Sequence, residues 1–476
     1  MVLFVHFLSF HCHGLKMESV SSAEAPAVSR ANWRLVGRVA LILLSILMLA
    51  DFLFRGIALA FHSGKNDFSE PYVAAWLWRH GQNFADSALA TSTAVRLTGY
   101  HDVIAPVYPP STLIAVAPLT FLPWGWANFC WLLLLFAAIG VSIKLLLELA
   151  DFRKWDDRAL LFAAFVLTYD PIHQAFHVGN IVLLVMPVCL AGIWLAEQRR
   201  DFAAGVVLAI ATLLKPQLAI WILLYYAIQG RKRVVAGAVL PPIPFAPAQF
   251  WYPVALGTIL AGYRHNYQYW YGPGGPSGFT QGAVPFHVNN IQILLYQAWP
   301  NMRGVNLLAH GIFACALAIW MFALWRGKFR LPAPLAITAL LSLSFISLYH
   351  SVSDTSILVL ALCWAIRPDN EREPSNRSSW NWSTWDWPQK LTCGVLLLML
   401  LPGQSVLLRV APHLSVAVTG AWWWRLLVAR YFIWLLVALD GALLAGMLRV
   451  SRRRTRTESE IQHQDPGSRA DVSLAS

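Results

Sequence analysis

Long runs of apolar residues alternate with short polar segments along most of the chain. A helix needs about 20 apolar residues to cross a bilayer, so runs of this kind indicate transmembrane helices. Together they predict an all-α polytopic membrane protein with about twelve transmembrane helices. The clear runs are residues 36–61, 126–149, 234–260, 304–325 and 427–448, and the less regular ones are 159–172, 179–196, 202–229, 331–349, 355–367 and 390–408.

The Lys and Arg residues fall in clusters between these runs, which is typical of cytoplasmic loops. If every cluster is cytoplasmic, the chain crosses the membrane an even number of times between successive clusters. Residues 109–122 then form a helix at the outer surface rather than a span. Residues 202–229 form two short helices that meet at Lys215, because Pro216 breaks the helix there. Both termini are expected inside.

The transmembrane domain is expected to occupy residues 31–450. Residues 1–30 are an N-terminal segment of uncertain translation or order, because their apolar stretch is short and has no basic residues in front of it. Translation from Met1 and from Met17 both stay open. Residues 451–476 have the polar composition of a disordered cytoplasmic tail.

Composition fits a membrane protein and argues against other classes. Of 476 residues, 57% are hydrophobic and only 13% are charged, whereas soluble domains carry about 25% charged residues. The net charge of +12 lies in short clusters between apolar runs and not on one face, so we expect membrane lipids and no nucleic acid as partners. The six cysteines form no CxxC pair and no zinc-type spacing with histidine, so neither a metal nor a cofactor is expected.

Asp67 follows the first apolar run, at the predicted outer surface of the membrane. A carboxylate at this place can accept a proton from a sugar hydroxyl and act as a catalytic base. Asp is also a favoured helix N-cap, and Glu70 stands at the spacing of a capping box. The spacing alone leaves both interpretations open.

Lys215 is the only charged residue between Asp201 and Arg231. A cation in an apolar hairpin is costly, which makes it a functional hypothesis, here as a partner for phosphate. The alternative is an ammonium group that reaches the membrane interface on its flexible side chain.

Further polar residues lie in segments predicted to be outside. The turn 169–180 contains Asn180 and two histidines, His173 and His177, whose spacing could suit a metal, but no supporting ligand stands nearby. The aromatic loop 261–303 offers rings that stack on sugars, unless these rings form only an interfacial belt. Its polar members include Arg264 and Asn289. His350 and Asp354 stand at an outer helix start, where Asp354 also fits a cap.

Five segments stand in order over roughly residues 35–360: DFSEPYVAA, YPPSTLIAVAPLTFLP, DPIHQAFHVGNIVLLV, FAAGVVLAIATLLKPQLAIWILLYYAIQGRKR and SLYHSVSDTSILVL. This ordered set resembles glycosyltransferase family 87, the polyprenyl-phosphate-mannose-dependent mannosyltransferases of the C-type membrane glycosyltransferases. One departure is visible, because the turn HVGN at 177–180 lacks the Gln that is usual in the family.

The resemblance implies a C-type fold with surface helices in the first outer loop, and Asp67 as the catalytic base. We therefore expect an inverting transferase that moves a hexose, mannose by resemblance, from a polyprenyl-phosphate donor to a lipid or glycan acceptor. The site would face the periplasm or exterior at the plasma (inner) membrane. Lys215 and Arg264 would hold phosphate and His350 would handle a proton or bind substrate; the other expected substrate-binding residues are Asn180, Asn289 and Asp354.

The alternative from another functional class is a lipid-linked saccharide flippase or another transporter. Transporters place ionisable residues near mid-membrane on broken helices. Only Asp51 and Lys215 fit that description, and the other polar groups gather on one predicted face. A transferase explains this asymmetry better.

Overall fold

A computed structural model describes residues 66–152, 157–241, 252–272, 274–278, 280, 290–348, 350–367 and 385–464, with isolated positions between 35 and 50. The regular secondary structure in these ranges is helical. The α-helices are Ser69–Arg79, Ser87–Thr98, Pro110–Val116, Trp124–Leu149, Asp157–Thr168, Asp170–His177, Val182–Glu197, Asp201–Leu214, Pro216–Ile228, Lys232–Val239, Leu256–Tyr271, Ile291–Ala298, Met302–Arg326, Ala333–Ser347, Leu360–Ala365, Trp387–Leu398, Gly403–Val410, Val416–Gly420 and Tyr431–Gln464. The 3-10 helices are Ala117–Phe121, Val352–Val359 and Ala411–His413, and Trp424–Val428 is a π-helix.

In the described ranges, three helices are long and apolar enough to cross a membrane: Trp124–Leu149, Met302–Arg326 and Tyr431–Arg456. A fourth span results if the pair Asp157–Thr168 and Asp170–His177, bent by 49°, is counted as one. Shorter apolar helices fill much of the remaining bundle. The chain is thus an all-helical, multi-pass membrane protein, and the number of about twelve spans stays a prediction.

Three interruptions of helices lie close together in the bundle. The first is Lys215, with φ −152° and ψ 86°, between Asp201–Leu214 and Pro216–Ile228. Pro216 has no N–H to continue the helix, but suits the first turn of the next one, as the sequence predicted. The other two interruptions are residues 178–181 and the residues between Ser347 and Val352, of which 349 lies outside the described residues. Each interruption carries a buried polar side chain, which is Lys215, Asn180 or His350.

The segment after Asn66 packs as a layer around these interruptions. Helix Ser69–Arg79 contacts the helical stretch Pro110–Phe121, which corresponds to the predicted helix 109–122. Helix Leu256–Tyr271 is fixed to the same layer, because Asn266 Nδ2 donates to Ala85 O and to Pro106 O at 2.9 and 2.8 Å.

Two parts of the fold differ from the sequence expectation. The predicted span 234–260 contains two separate helices, Lys232–Val239 and the start of Leu256–Tyr271, with 242–251 outside the described residues. Helix Tyr431–Gln464 continues through 451–464, so this part of the predicted tail is helical. Arg449 and Arg453 secure it, because the Nη2 atom of each lies 2.7 Å from a carboxylate oxygen of Asp386. Residues 1–30 and 465–476 lie outside the described residues.

Candidate active site at the meeting point of three helix interruptions

Five residues singled out by the sequence form one connected chain of polar contacts. Asn180 Nδ2 donates to Asp67 Oδ2 at 2.8 Å, and Lys215 Nζ lies 3.4 Å from Asn180 Oδ1. Lys215 Nζ also forms an ion pair with Asp354 Oδ1. His350 Nδ1 lies 3.2 Å from Asp354 Oδ2. We call Asp67, Asn180, Lys215, Asp354 and His350 the polar cluster.

Asp67 stands just before helix Ser69–Arg79, but it is not the cap of that helix. The N-cap position is Phe68, without a side-chain cap hydrogen bond. Asn66 organises the turn instead, because its Oδ1 accepts from Phe68 N at 2.7 Å. Glu70 Oε1 accepts from Val107 N at 2.9 Å. The capping box that the spacing allowed therefore does not form.

The turn 178–180 fixes the backbone beside Asp67. Asp67 N donates to Val178 O at 2.6 Å. Gly179 has φ +70°, and a Cβ at this position would lie 2.2 Å from Asn66 Oδ1, so only glycine fits both the backbone and the space. Trp131 Nε1 donates to Gly179 O at 2.8 Å, which ties the turn to helix Trp124–Leu149.

Asn66 adds a second connection to the same helix. Its Nδ2 donates to Asn128 Oδ1 at 2.7 Å, and both residues are buried. Asn66, Asn128 and Trp131 were not identified from the sequence. An Asn or Trp in an apolar helix gives no sign of its distant partner.

Lys215 and Asp354 form a buried ion pair, with side-chain exposures of 7% and 5%. The ammonium group therefore points into the protein and not to the membrane interface, which contradicts the alternative interpretation of Lys215. Asp354 also caps the 3-10 helix Val352–Val359 through a reciprocal box with Ser351. Its cap and its ion pair coexist, because the two carboxylate oxygens serve different donors.

His350 is fully buried and packs edge-on against the Phe345 ring at 4.6 Å. The Asp354 carboxylate, paired with Lys215, offers only acceptors, so Nδ1 must carry the proton of the His350–Asp354 contact. His350 Nε2 has no hydrogen-bond partner within the described ranges. That atom is placed to exchange a proton or to contact a ligand.

The last carbonyl groups of helix Asp201–Leu214 accept hydrogen bonds from side chains of another segment. Ser111 Oγ donates to Leu213 O, and Thr112 Oγ1 donates to Leu214 O at 2.7 Å. These hydroxyls satisfy carbonyl groups that the interruption at Lys215 leaves without helical partners. The YPPST motif thus supports the position of Lys215, a role that the sequence did not indicate.

Glu70 and Tyr108 extend the site beyond the predicted residues. Burial raises the pKa of Glu70 from 4.5 to about 8; the hydrogen bond from Val107 opposes this change, and the charge of Asp67 adds to it. Burial also raises the pKa of Tyr108 well above its ordinary value, and the charges of Glu70, Asp67 and Asp354 act in the same direction. Both groups therefore lie within electrostatic range of Asp67.

The remaining predicted residues lie elsewhere. Arg264 is exposed on helix Leu256–Tyr271, and the described contacts do not join it to the polar cluster. Asn289 lies outside the described residues. His177 is exposed. Over the part of the chain that the structure describes, no group of three His, Cys, Asp or Glu side chains could hold a metal ion.

The polar cluster combines two chemical capacities. Asp67 supplies a carboxylate that can take a proton. Lys215 supplies an ammonium group that suits an anionic oxygen, and His350 Nε2 becomes a second donor to such an oxygen when the ring is protonated. A base beside an anion site is the arrangement needed to displace a phosphate by a hydroxyl group.

Comparison with known proteins gives one family match. The sequence profile of glycosyltransferase family 87 matches residues 107–351, slightly more than half of the chain. No curated protein matches the chain. A crystal structure of ArnT from Cupriavidus metallidurans in the apo state shows 15% sequence identity and a TM-score of 0.33, over 86% of this chain and 77% of that chain. The matched residues include Asn180, Lys215 and His350, whereas Asp67 precedes them and Asp354 follows them.

Proposed function

The chain belongs to glycosyltransferase family 87, and from this premise we propose that it transfers a hexose from a polyprenyl-phosphate carrier to a lipid or glycan acceptor. Mannose is the proposed sugar. The reaction takes place at the outer face of the plasma membrane and inverts the anomeric carbon. Family membership favours transfer over the transport alternative.

The observation that carries this proposal is the connection of Asp67 to Lys215 through the single side chain of Asn180. This connection supports a common site for the carboxylate proposed as the base and the ammonium group proposed to bind phosphate. The acceptor hydroxyl attacks the anomeric carbon and gives its proton to the Asp67 carboxylate. The bond from that carbon to the phosphate oxygen breaks, and the polyprenyl phosphate leaves with the electron pair. One displacement with attack opposite the leaving group gives inversion.

Lys215 and His350 are proposed to hold the donor phosphate. An ammonium group has three N–H donors. Two of them face Asp354 and Asn180, which leaves a third for a phosphate oxygen. His350 Nε2 supplies another contact when it is protonated. Arg264 and Asn289 stay proposed substrate contacts from the aromatic segment 261–303.

Transfer is tested with purified protein, labelled polyprenyl-phosphate-mannose and membrane lipids as acceptors. We expect a labelled product whose anomeric configuration is opposite to that of the donor. Asp67→Asn keeps the side-chain shape but cannot accept the proton, so transfer should fall by about 10²–10⁴-fold. Donor binding and thermal unfolding should stay close to wild type. Absence of transfer from several lipid-phosphate hexoses would overturn the proposal in favour of transport.

A further inference from the structure

The turn 178–180 holds Asp67 at two points. The backbone N–H of Asp67 donates to Val178 O at 2.6 Å, and its Oδ2 accepts from Asn180 Nδ2 at 2.8 Å. Main chain and side chain are thus bound to the same short turn. The carboxylate therefore has little freedom to rotate relative to that turn.

The orientation of the Asn180 amide is set from its other side. Asn180 Oδ1 faces two donors, Val182 N at 2.9 Å and Lys215 Nζ at 3.4 Å. Neither can accept a hydrogen bond in return, so the amide oxygen must face them and the amino group must face Asp67. Asn180 is only 6% exposed, and its own N–H donates to Ala175 O at 2.7 Å.

From this geometry we propose that Asn180 is a positioning residue for Asp67 and not a contact to the sugar or phosphate. The inference rests on the proposed function, because it requires Asp67 to be the base. Asn180 acts through Asp67 in two ways. It fixes the direction of the carboxylate, and its N–H donor favours the ionised form that accepts the proton. Lys215, in its ion pair with Asp354, holds the Asn180 amide in the productive orientation.

The test compares Asn180→Ala and Asn180→Asp with the matched control Asn83→Asp. Asn83 lies in the same segment as Asp67, and its Oδ1 accepts from Ala85 N at 3.2 Å. The carboxylate of Asn83→Asp can accept the same hydrogen bond, and this substitution leaves the contacts of Asp67 unchanged. Loss of a hydrogen bond to a charged group corresponds to a decrease in rate of about 10- to 100-fold. We expect kcat to fall by this factor in both Asn180 variants, with donor KM within about twofold. The control should match wild type.

The pH profile separates positioning from mere structural support. Removing a donor from the carboxylate should shift the acidic limb of kcat to higher pH in Asn180→Ala. The shift should be larger in Asn180→Asp, which adds a second negative charge. The other titratable groups around Asp67 stay unchanged in these variants: Glu70, Tyr100, Tyr108, Lys215 and Asp354.

Two results would overturn the inference alone. One is a raised donor KM with an unmoved acidic limb, which would make Asn180 a substrate contact. The other comes from a double-mutant cycle of thermal stability with Asp67→Ala, Asn180→Ala and their double variant. If the loss in the double variant equals the sum of the two single losses, the two side chains are not coupled. Coupling in that cycle supports the contact even in a variant without turnover. Retained turnover in Asp67→Asn would instead overturn the proposed function, and the inference with it.

Discussion

At the residue scale, the buried pair of Lys215 and Asp354 determines how either charge can be tested. Lys215→Ala leaves the Asp354 carboxylate buried without its cation, which costs about 3–5 kcal/mol. We expect the double variant Lys215→Met with Asp354→Asn to recover most of that loss, because it removes both charges. Donor affinity should be low in the single and the double variant, since both lack the ammonium group.

Thermal unfolding and donor binding of purified protein check this prediction. If donor affinity returned to the wild-type value in the double variant, Lys215 would serve the fold alone. The side-chain oxygen in Asp354→Asn can still accept the hydrogen bond from Ser351 N, so the helix cap is kept in the double variant. The comparison therefore measures only the loss of the two charges.

The raised pKa of Glu70 predicts that the stability of the protein depends on pH. Its pKa is raised to about 8 by burial, so the folded state holds a proton that the unfolded chain loses above about 4.5. The stabilisation by this proton is complete below the pKa of Glu70 in the unfolded state. It is lost as the pH rises through the pKa of Glu70 in the folded state, by at most about 1.4 kcal/mol per pH unit. Glu70→Gln should therefore match wild type at pH 5 and exceed its stability at pH 8.

Unfolding midpoints at pH 5, 6.5 and 8 test the sign of this effect. The matched control is Glu148→Gln, on the partly exposed side of helix Trp124–Leu149. A gain in Glu70→Gln that is the same at all three pH values would contradict the assignment to proton binding.

Sequence reasoning found charged members of the site but not their connections. Asp67, Lys215 and Asp354 were visible because a charge beside or inside an apolar run is costly and therefore informative. The contacts from Asn180 to Asp67 and from Lys215 to Asp354 span 113 and 139 positions of the chain. No local pattern encodes such pairs. Asn128 and Trp131 were missed for the same reason.

At the element scale, the turn 178–180 depends on the absence of a side chain at Gly179. Gly179→Ala should lose about 1–2 kcal/mol for the positive φ. Overlap with Asn66 should cost about 1–3 kcal/mol more. Gly99→Ala is the matched control, because Gly99 has the same φ of 70° and nothing lies within 4 Å of an added Cβ.

Chemical unfolding of the two variants separates backbone strain from steric overlap. Gly179→Ala should also reduce transfer, since the displaced turn carries the Asp67 and Asn180 contacts, whereas Gly99→Ala should not. Equal destabilisation of both variants would show that Asn66 can move aside at no cost.

The interrupted helices were only partly predictable. The interruption at Lys215 can be predicted from Pro216, because proline cannot continue a helix and suits the start of another. The interruption between Ser347 and Val352 has no proline in the sequence, and Asp354 with Ser351 forms the new cap. The apolar run 234–260 gave no sign that a separate helix begins at Leu256. Hydropathy detects apolar stretches, whereas the exact helix ends depend on caps and tertiary contacts.

At the scale of the whole molecule, exposed apolar surface supports the membrane assignment. Helix Met302–Arg326 presents Leu307 at 77% exposure and Trp325 at 64%. Surfaces of this kind need lipid, since water would penalise them. The polar cluster lies inside the bundle, where its members contact each other and His350 Nε2 has no hydrogen-bond partner among the described residues. This multi-pass membrane glycosyltransferase thus combines an apolar exterior with a buried core that contains the polar cluster.

The orientation of the whole molecule gives the last prediction. The positive clusters predict that Arg452, Arg453 and Arg454 lie inside and that helix Ser87–Thr98, in the segment that carries Asp67, lies outside. We expect Ser92→Cys, at an exposed position, to react with an impermeant maleimide in sealed cells. Ser468→Cys should react only after permeabilisation. Both changes belong in a Cys315→Ser background, because Cys315 is an exposed native thiol. Equal labelling of both positions in sealed cells would contradict the orientation, and an acceptor on the outer surface would then be unable to reach Asp67.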